Sequence, residues 1–206
     1  MTDSSNQHAR DGSAGRGSAS VAARTGWPHV PGNQALLAQS LPDGSPWPRI
    51  SIVTPTFNQG AYIEETLLSV LNQGYPNVEH IVIDGGSTDQ TLEILDRYRD
   101  RLARVISEKD RGQSDAINKG MRLATGEIVT WLNSDDMLAP GALGAIALAF
   151  WRDKPDMVAG VCELYREGEL VQRHLTSCSN GPLPLSDLLD LEGCWIRGQF
   201  FYQPEV

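Results

Sequence analysis

Residues 50–56 read ISIVTPT, an apolar run that ends in hydroxyl side chains, and this arrangement recurs three more times along the chain. The four apolar runs and the polar stretches that follow them are 50–53 with 54–56, 81–83 with 84–89, 105–106 with 107–112, and 128–132 with 133–136. Short apolar runs bounded by polar residues predict buried strands of a parallel sheet. Ligands bind outside the carboxyl ends of the strands in such a sheet, so we expect the polar stretches to form one site.

Apolar residues at helical spacing lie between these runs. The first predicted helix has Ile63, Leu67, Val70 and Leu71 on its inner face. The second follows a capping box of Ser87 and Gln90 and continues through Leu95 and Tyr98. A third covers 112–124, and a fourth begins at Pro140. Strands that alternate with helices of this length imply right-handed crossovers. We therefore predict an α/β fold, with a mostly parallel sheet flanked by helices.

Composition divides the chain into three parts. Residues 1–25 are rich in Ser, Gly and Ala and are expected to form a disordered tail, because they offer too little apolar surface to offset the entropy of ordering. Residues 26–49 predict an irregular lead-in whose tryptophans pack on a single domain over 50–206. The last part of that domain predicts a hairpin around 166–169, a short helix over 182–191 and an aromatic segment over 195–202. That segment resembles the start of a strand, so we expect missing sequence beyond Val206.

Charge and motifs exclude several classes of protein. The 206 residues carry a net charge of -9, and the acidic excess lies after residue 50, which disfavours a free nucleic-acid strand as a partner. The sequence contains no G-x-S-x-G, H-E-x-x-H, Walker or G-x-G-x-x-G motif. This disfavours α/β-hydrolases, zincins, P-loop enzymes and classical Rossmann dehydrogenases.

The cysteines and the longest apolar run indicate the cellular compartment of the protein. Cys162, Cys178 and Cys194 form no Cys-x-x-Cys pair, which disfavours a zinc site. Their odd number and the lack of a secretory signal predict reduced thiols in the cytoplasm. The longest near-apolar run, 139–151, is too short to span a bilayer, which leaves peripheral association with the inner face of a membrane open.

Two adjacent carboxylates, Asp135 and Asp136, follow the fourth apolar run. They project differently from an extended turn, so one can ligate a metal while the other meets a ribose hydroxyl. Mg²⁺ and Mn²⁺ prefer oxygen ligands and bridge diphosphate oxygens. A rim with so many acids and no block of bases needs a cation, so the sequence predicts a divalent metal with a sugar-nucleotide diphosphate. The alternative is a turn and helix N-cap, where Asp is also common.

Two further groups of polar residues are candidates for the same site. Asp84 follows a buried strand and precedes two glycines, which let a ligand approach the backbone closely. It is a candidate partner for a ribose hydroxyl or a base N–H, with a tight turn as the alternative. Arg111 is a candidate bidentate donor to a phosphate, and Asp115 can pair with Arg111 or with Lys119. The alternative there is a salt-bridged helix start. His80 is interpreted as structural.

Five ordered motifs make the chain resemble the family 2 glycosyltransferases of the GT-A fold. They are SIVTPTFN at 51–58, EETLLSVLNQ at 64–73, VIDGGSTD at 82–89, DRGQSDAINKG at 110–120 and WLNSDD at 131–136. The resemblance implies a GT-A, Rossmann-like nucleotide-diphospho-sugar transferase fold. It also implies inverting transfer of a hexosyl or related group from a nucleotide-diphosphate sugar to a glycan or lipid-linked acceptor, with Mg²⁺ or Mn²⁺, in polysaccharide or cell wall biosynthesis.

The resemblance further implies a role for each matching residue. The nucleoside pocket would be lined by Thr54, Pro55 and Thr56, and Asp84 would contact the base or ribose. The residues near the nucleotide and its diphosphate would be Arg111, Asp115, Ser134 and Asp136. Asp135 would bind the metal, with Asp136 beside it. Asn133 departs from the family pattern, in which Asp is usual at that position. An amide can still accept a hydrogen bond from ribose, but it carries no charge, which lowers the expected affinity for metal.

The catalytic base stays unassigned. The resemblance places it on the acceptor side, beyond Val206, and the nearest acids within the chain, Asp187, Asp190 and Glu192, are not favoured. An alternative function is therefore a truncated module that binds a sugar nucleotide without turnover. A nucleotidyltransferase is less favoured, because the Gly/Arg-rich loop of that class is absent after Val53.

Overall fold

The computed structural model describes residues 37–166, 169–175 and 194–197. The strands are β1 (Ile50–Thr56), β2 (Val78–Asp84), β3 (Arg104–Ser107), β4 (Ile128–Trp131), β5 (Met157–Ala159), β6 (Val161–Arg166), β7 (Glu169–Leu175) and β8 (Cys194–Arg197). The helices are α1 (Ile63–Leu71), α2 (Thr91–Arg97), α3 (Gln113–Leu123) and α4 (Ala142–Asp153), with a 3₁₀ turn at Arg99–Arg101. The predicted tail over 1–25, Trp27 and the predicted helix over 182–191 lie outside the described residues.

The main sheet has the strand order β3-β2-β1-β4-β8-β5. The first four strands are parallel, as predicted, and β8 runs antiparallel between β4 and β5. The chain adds β2 and β3 on one side of β1 and then crosses back to place β4 on the other side. The order therefore reverses at β1, which creates a topological switch point between β1 and β4.

Alternating side chains of the central strands pack against helices on both faces of the sheet. On one face, Val53 and Ile81 pack with Ala116 and Met121 of α3. On the other face, the buried clusters join Ile50, Ile52 and Val82 to residues of α1, α2 and α4. None of the helices in the described part is long and apolar enough to cross a membrane.

Close packing joins α3 to the central strand. A Cβ atom at Gly120 of α3 would lie 2.3 Å from Cγ1 of Val53 in β1. That separation is far below a carbon–carbon contact distance, so a larger residue would push the helix away from the sheet. Glycine at this position therefore permits the C-terminal half of α3 to lie directly against β1.

The segment before β1 packs through Trp47. Its side chain is buried, its indole Nε1 donates to the carbonyl of Ala38 at 2.8 Å, and its ring meets Tyr75 edge-on with 5.6 Å between ring centroids. The hydroxyl of Tyr75 donates in turn to the carbonyl of Pro48 at 2.7 Å. Trp47 therefore fixes the entry to β1 against α1 and α4.

Three local predictions need correction. The helix after β2 begins at Thr91 without a side-chain cap. The hydroxyl of Ser87 donates to the carboxylate of Asp84 and does not form the predicted capping box. The last helix begins at Ala142, two residues after Pro140, because Gly141 takes a left-handed conformation with φ of 77°. The predicted hairpin is confirmed as β6 with β7, but residues 157–159 leave it and join the main sheet as β5.

Candidate functional site

Four loops meet at the carboxyl edge of the parallel strands. They follow β1, β2, β3 and β4 and comprise residues 57–62, 85–90, 108–112 and 132–141. Every site residue predicted from the sequence lies on these loops, at the adjoining strand ends or at the start of α3. The structure thus brings the predicted residues to one edge of the sheet, around the switch point between β1 and β4.

The end of β1 presents one engaged hydroxyl and one unpartnered hydroxyl. The Oγ1 of Thr54 lies 2.9 Å from Nε2 of the buried His80, and burial lowers the pKa of that imidazole to about 3, so the ring is neutral. Pro55 pairs with Ile83 within the sheet. Thr56 is 5% exposed, and its Oγ1 has no hydrogen-bond partner among the described residues. The structural interpretation of His80 agrees with its burial, and Thr56 retains an unused donor and acceptor beside Asp84.

Asp84 organises the loop after β2. Its buried carboxylate accepts hydrogen bonds from the hydroxyl of Ser107 at 2.6 Å, from the backbone N–H of Gly86 at 3.1 Å and of Ser87 at 3.0 Å, and from the hydroxyl of Ser87. These contacts tie the end of β2 to the end of β3. Asp84 therefore holds the glycine loop in place with both carboxylate oxygens already engaged.

The two glycines of that loop permit a close approach of the chain after β3. A Cβ atom at Gly85 would lie 2.8 Å from a carboxylate oxygen of Asp110, and Gly86 has a φ of 89°. Both positions disfavour a side chain, the first by crowding and the second by conformation. The loop after β2 therefore lies directly against the loop after β3.

The loop after β1 is tied to the loop after β2 and exposes an aromatic ring. Asn58 adopts a φ of 52°, and its Oδ1 accepts from the backbone N–H of Thr88 at 2.8 Å. Ser87 and Asp89 accept from the N–H groups of Asn58 and Gly60 at 2.8 and 2.9 Å. Phe57, directly before these anchors, is 58% exposed. The sequence reasoning missed Phe57, although an aromatic residue directly after a strand end was a usable signal.

Arg111 and Asp115 form a pair at the start of α3. The guanidinium of Arg111 lies 3.0 Å from Oδ1 of Asp115, and its backbone N–H donates to Oδ2 at 3.2 Å. These hydrogen bonds from Arg111 lower the pKa of Asp115 to about 2. Lys119 joins Asp115 at 3.6 Å and Glu108 at 2.8 Å, so both predicted partners of Asp115 are present. The Arg111 side chain is 88% exposed and can reach a ligand in solvent.

The loop after β4 combines tied and untied carboxylates. The amide of Gln113 donates to Oδ1 of Asn133 at 2.7 Å, and the amide of Asn133 donates to a carboxylate oxygen of Asp136 at 3.0 Å. Ser134 is buried, and its carbonyl accepts from the Thr66 hydroxyl of α1 at 2.9 Å. Asp135 is exposed and has no hydrogen bond or ion pair within the described part of the chain.

The residues present fit a Mg²⁺ or Mn²⁺ ion that is shared with a bound diphosphate. The described residues contain no group of three or more His, Cys, Asp and Glu side chains that could enclose a metal. An ion held by one or two carboxylates, substrate phosphates and water needs no such group. Asp135 offers for that purpose a carboxylate that no other described residue engages, and Asp136 lies beside it. Asp187, Asp190 and Glu192 fall outside the described residues.

Comparison with known proteins gives a family match over most of the chain. The model for glycosyl transferase family 2 matches residues 51–200. Glycosyltransferase GlyG of Streptococcus pneumoniae is 33% identical over 123 residues, which are 58% of this chain and 41% of GlyG. The GalNAc(5)-diNAcBac-PP-undecaprenol beta-1,3-glucosyltransferase of Campylobacter jejuni is 32% identical over 127 residues, which are 60% of this chain and 41% of that enzyme.

A solved structure shows the same fold. Staphylococcus aureus TarS 1-349, in complex with UDP-GlcNAc, matches with a TM-score of 0.51 at 31% identity. The match covers 54% of this chain and 33% of the TarS chain. The chain therefore spans about two fifths of the two curated relatives and a third of the TarS structure.

Proposed function

Because the chain belongs to glycosyl transferase family 2 and has the predicted GT-A fold, we propose that its site transfers a sugar from a nucleotide-diphosphate donor to an acceptor hydroxyl. The proposal includes inversion at the anomeric carbon, a glycan or lipid-linked acceptor, and dependence on Mg²⁺ or Mn²⁺. The observation that carries it is Asp135, a carboxylate at the switch point that is exposed and has no partner among the residues that the structure describes. The name of the Campylobacter relative, which includes an undecaprenol-linked glycan, supports a lipid-linked acceptor.

Each part of the donor meets a chemically matching group in this proposal. The exposed ring of Phe57 offers a face on which a nucleobase can stack. The unpartnered hydroxyl of Thr56 can exchange a hydrogen bond with the nucleoside. Asp84 acts by holding the glycine loop beside the nucleoside, since its oxygens are already engaged.

The diphosphate would lie between the loops after β3 and β4. Arg111 donates to the diphosphate oxygens, and its pairing with Asp115 keeps the guanidinium at the start of α3 until the donor arrives. Asp135, with Asp136 beside it, would hold the divalent ion. When bound, that ion supplies positive charge that offsets the charge on the leaving diphosphate.

Transfer also needs a route for one proton. The acceptor oxygen forms a bond to the anomeric carbon while the bond from that carbon to the diphosphate oxygen breaks, and the hydroxyl proton passes to a carboxylate base. General-base help of this kind contributes about 10²–10⁴ in rate. We propose that the base lies on the acceptor side of the site, beyond the donor loops.

Calorimetry tests the donor half of this proposal. UDP and GDP are titrated into the chain with Mn²⁺ and again with EDTA, with uridine as a ligand that carries no phosphate. We expect at least one diphosphate to bind more tightly with Mn²⁺, and we expect uridine to show no metal dependence. Equal affinity for the diphosphates in Mn²⁺ and EDTA would remove the metal role, and a folded sample that binds neither nucleotide would contradict the proposed donor.

A further inference from the structure

Two polar side chains of α1, and a third two residues beyond its end, are buried where this helix meets the loop after β4. Thr66, Ser69 and Gln73 are 1%, 0% and 2% exposed. Their spacing of three and four residues places them in one row along the helix and the turn that follows it, which we call the α1 polar row. Buried polar groups cost free energy unless they are hydrogen-bonded, so the partners of this α1 polar row indicate its purpose.

The partners are backbone groups of the loop that carries the acidic pair. The Thr66 hydroxyl donates to the carbonyl of Ser134 at 2.9 Å. The Ser69 oxygen accepts from the N–H of Leu138 at 3.1 Å, while its proton goes to the carbonyl of Thr66 at 2.7 Å. The Gln73 amide donates to the carbonyl of Ala139 at 2.9 Å. The α1 polar row thus holds both ends of the segment 134–139.

The segment between these anchors is also tied to Asn133, whose amide donates to the carboxylate of Asp136 at 3.0 Å and whose carbonyl accepts from the N–H of Asp136 at 3.1 Å, and Leu138 packs against the buried cluster of β1 and α4. Asp135 and Asp136 are exposed, and Met137 is 37% exposed, so few apolar contacts hold them. The contacts from the α1 polar row reach backbone atoms of the loop and do not engage the carboxylate of Asp135. A loop held in this way keeps its conformation while its acidic side chains remain available to a ligand.

We infer that Thr66, Ser69 and Gln73 are positioning residues, which fix the segment 134–139 so that Asp135 is presented for metal-supported binding of a nucleoside diphosphate. The inference rests on the proposed function for its ligand, but its structural part concerns the free protein. Loss of one anchor leaves a buried group unpaired and lets the segment leave the competent conformation. The apparent dissociation constant rises by the factor by which the competent fraction falls.

Two serines of this chain provide a matched pair of variants. Ser69 and Ser51 are both fully buried, and each accepts a backbone N–H and donates its own proton. Ser51, however, lies at the start of β1, where it bonds Glu79 and the N–H of Gly126. Ser69→Ala and Ser51→Ala therefore remove the same chemistry at opposite edges of the sheet. Thr66→Val, which preserves side-chain volume, serves as a second variant at the acidic loop.

The experiment measures two properties of each variant. The first is the Kd for UDP in Mn²⁺ and in EDTA, and the second is amide hydrogen exchange at 135–139 in the free protein. We expect both serine variants to lower the Tm. Ser69→Ala and Thr66→Val should raise the Kd for UDP in Mn²⁺ by about tenfold. They should also lower the ratio of the Kd in EDTA to the Kd in Mn²⁺ and accelerate amide hydrogen exchange at 135–139. Ser51→Ala should change neither the ratio nor that exchange.

The outcomes separate this inference from the proposed function. If wild-type protein binds UDP equally in Mn²⁺ and EDTA, the proposed function fails, while exchange at 135–139 still decides whether the α1 polar row holds the loop. If wild-type binding depends on Mn²⁺ but Ser69→Ala and Thr66→Val behave like Ser51→Ala in both measurements, the inference is overturned and the row is merely structural.

Discussion

The two edges of the main sheet differ: the polar groups around Glu79 at the amino edge are hydrogen-bonded to one another, whereas the carboxyl edge combines the fully engaged Asp84 with charged side chains that are open to solvent. At the amino edge, Glu79 accepts from the hydroxyl of Ser51 at 2.5 Å and from the N–H and hydroxyl of Thr125 at 2.8 and 2.9 Å. Arg49 closes this network by donating to Thr125 and Asn77. At the carboxyl edge, Asp135 has no partner in the described part of the chain, and Arg111 is 88% exposed.

Strand β1 shows the same contrast within one element. The hydroxyl of Ser51, near its start, both donates and accepts a hydrogen bond. The hydroxyl of Thr56, at its end, is also buried yet has no partner among the described residues. A satisfied polar group contributes to stability, whereas an unsatisfied one at a ligand edge is available for binding. The amino edge is therefore expected to govern stability, and the carboxyl edge ligand affinity.

Replacing Asp135 should give the largest effect on binding. Asp135→Asn is expected to weaken UDP binding in Mn²⁺ by about 100-fold, because a bound metal contributes several kcal/mol and the variant removes a charged ligand. The Tm should stay the same, since the side chain is exposed and unpaired. Asp100→Asn, at another exposed acid far from the site, is the control for charge alone. Wild-type affinity in Asp135→Asn would show that this carboxylate does not hold the metal.

Replacing Glu79 should lower stability without changing UDP affinity, which is the reverse of the effect expected for Asp135→Asn. Glu79→Ala leaves the Ser51 hydroxyl and the Thr125 N–H without their acceptor, which is expected to cost about 1–3 kcal/mol in the free energy of unfolding. Urea unfolding gives this free energy, and calorimetry on the same sample gives the UDP affinity, which should not change. A large loss of affinity in a folded Glu79→Ala sample would mean that the two edges are coupled.

Phe57 tests whether the carboxyl edge receives a nucleobase. Phe57→Ala should weaken UDP binding by about tenfold through loss of stacking, and Phe57→Tyr should retain wild-type affinity. Neither variant should lower stability by much, because the ring is 58% exposed. If uridine and UDP both bind Phe57→Ala as they bind the wild type, the ring does not face the base.

The smallest effect concerns the pH dependence of stability at the amino edge. Burial raises the pKa of Glu79, but hydrogen bonds from Ser51 and Thr125 and the charge of Arg49 outweigh it and hold the pKa below its ordinary 4.5. A carboxyl with a lowered folded-state pKa stabilises the protein fully above the unfolded value and loses that contribution as the pH falls through the folded value. The stability difference between wild type and Glu79→Ala should therefore be constant above pH 4.5 and shrink below it. A difference that grows on acidification would show that the Glu79 pKa is raised.

The sequence predicted those parts of the fold that depend on local pattern. The apolar runs 50–53, 81–83, 105–106 and 128–132, which are short and end in polar residues, predict the four parallel strands, although three of these strands extend beyond the runs, to 50–56, 78–84 and 104–107. The carboxyl edge followed from the general rule for parallel sheets, which brought Asp84, Arg111 and Asp135 to one place without any knowledge of distances. Strand β8 was missed as a member of the main sheet, since its partners in β4 and β5 are set by tertiary pairing and not by its own periodicity.

The remaining errors also arise from long-range contacts. Ser87 was assigned to a helix cap, but the carboxylate of Asp84 takes its hydroxyl, and the helix starts later. The amino-edge network joins residues 28 to 78 positions apart, and no motif marks it. The α1 polar row was hidden because Thr, Ser and Gln at helical spacing are also typical of an exposed face. Local pattern therefore predicted which residues meet at the carboxyl edge, but the folded structure was needed to show which polar groups there are already hydrogen-bonded.

The central claim is that the nucleotide binds at the carboxyl edge, around the switch point between β1 and β4. Amide hydrogen exchange tests this most directly, with and without UDP and Mn²⁺ on the whole chain. We predict protection on binding at 54–60, 84–90, 108–115 and 133–138, with no change at 47–51, 76–79 and 124–128. Protection confined to the amino-edge segments, or spread equally over both edges, would contradict the account.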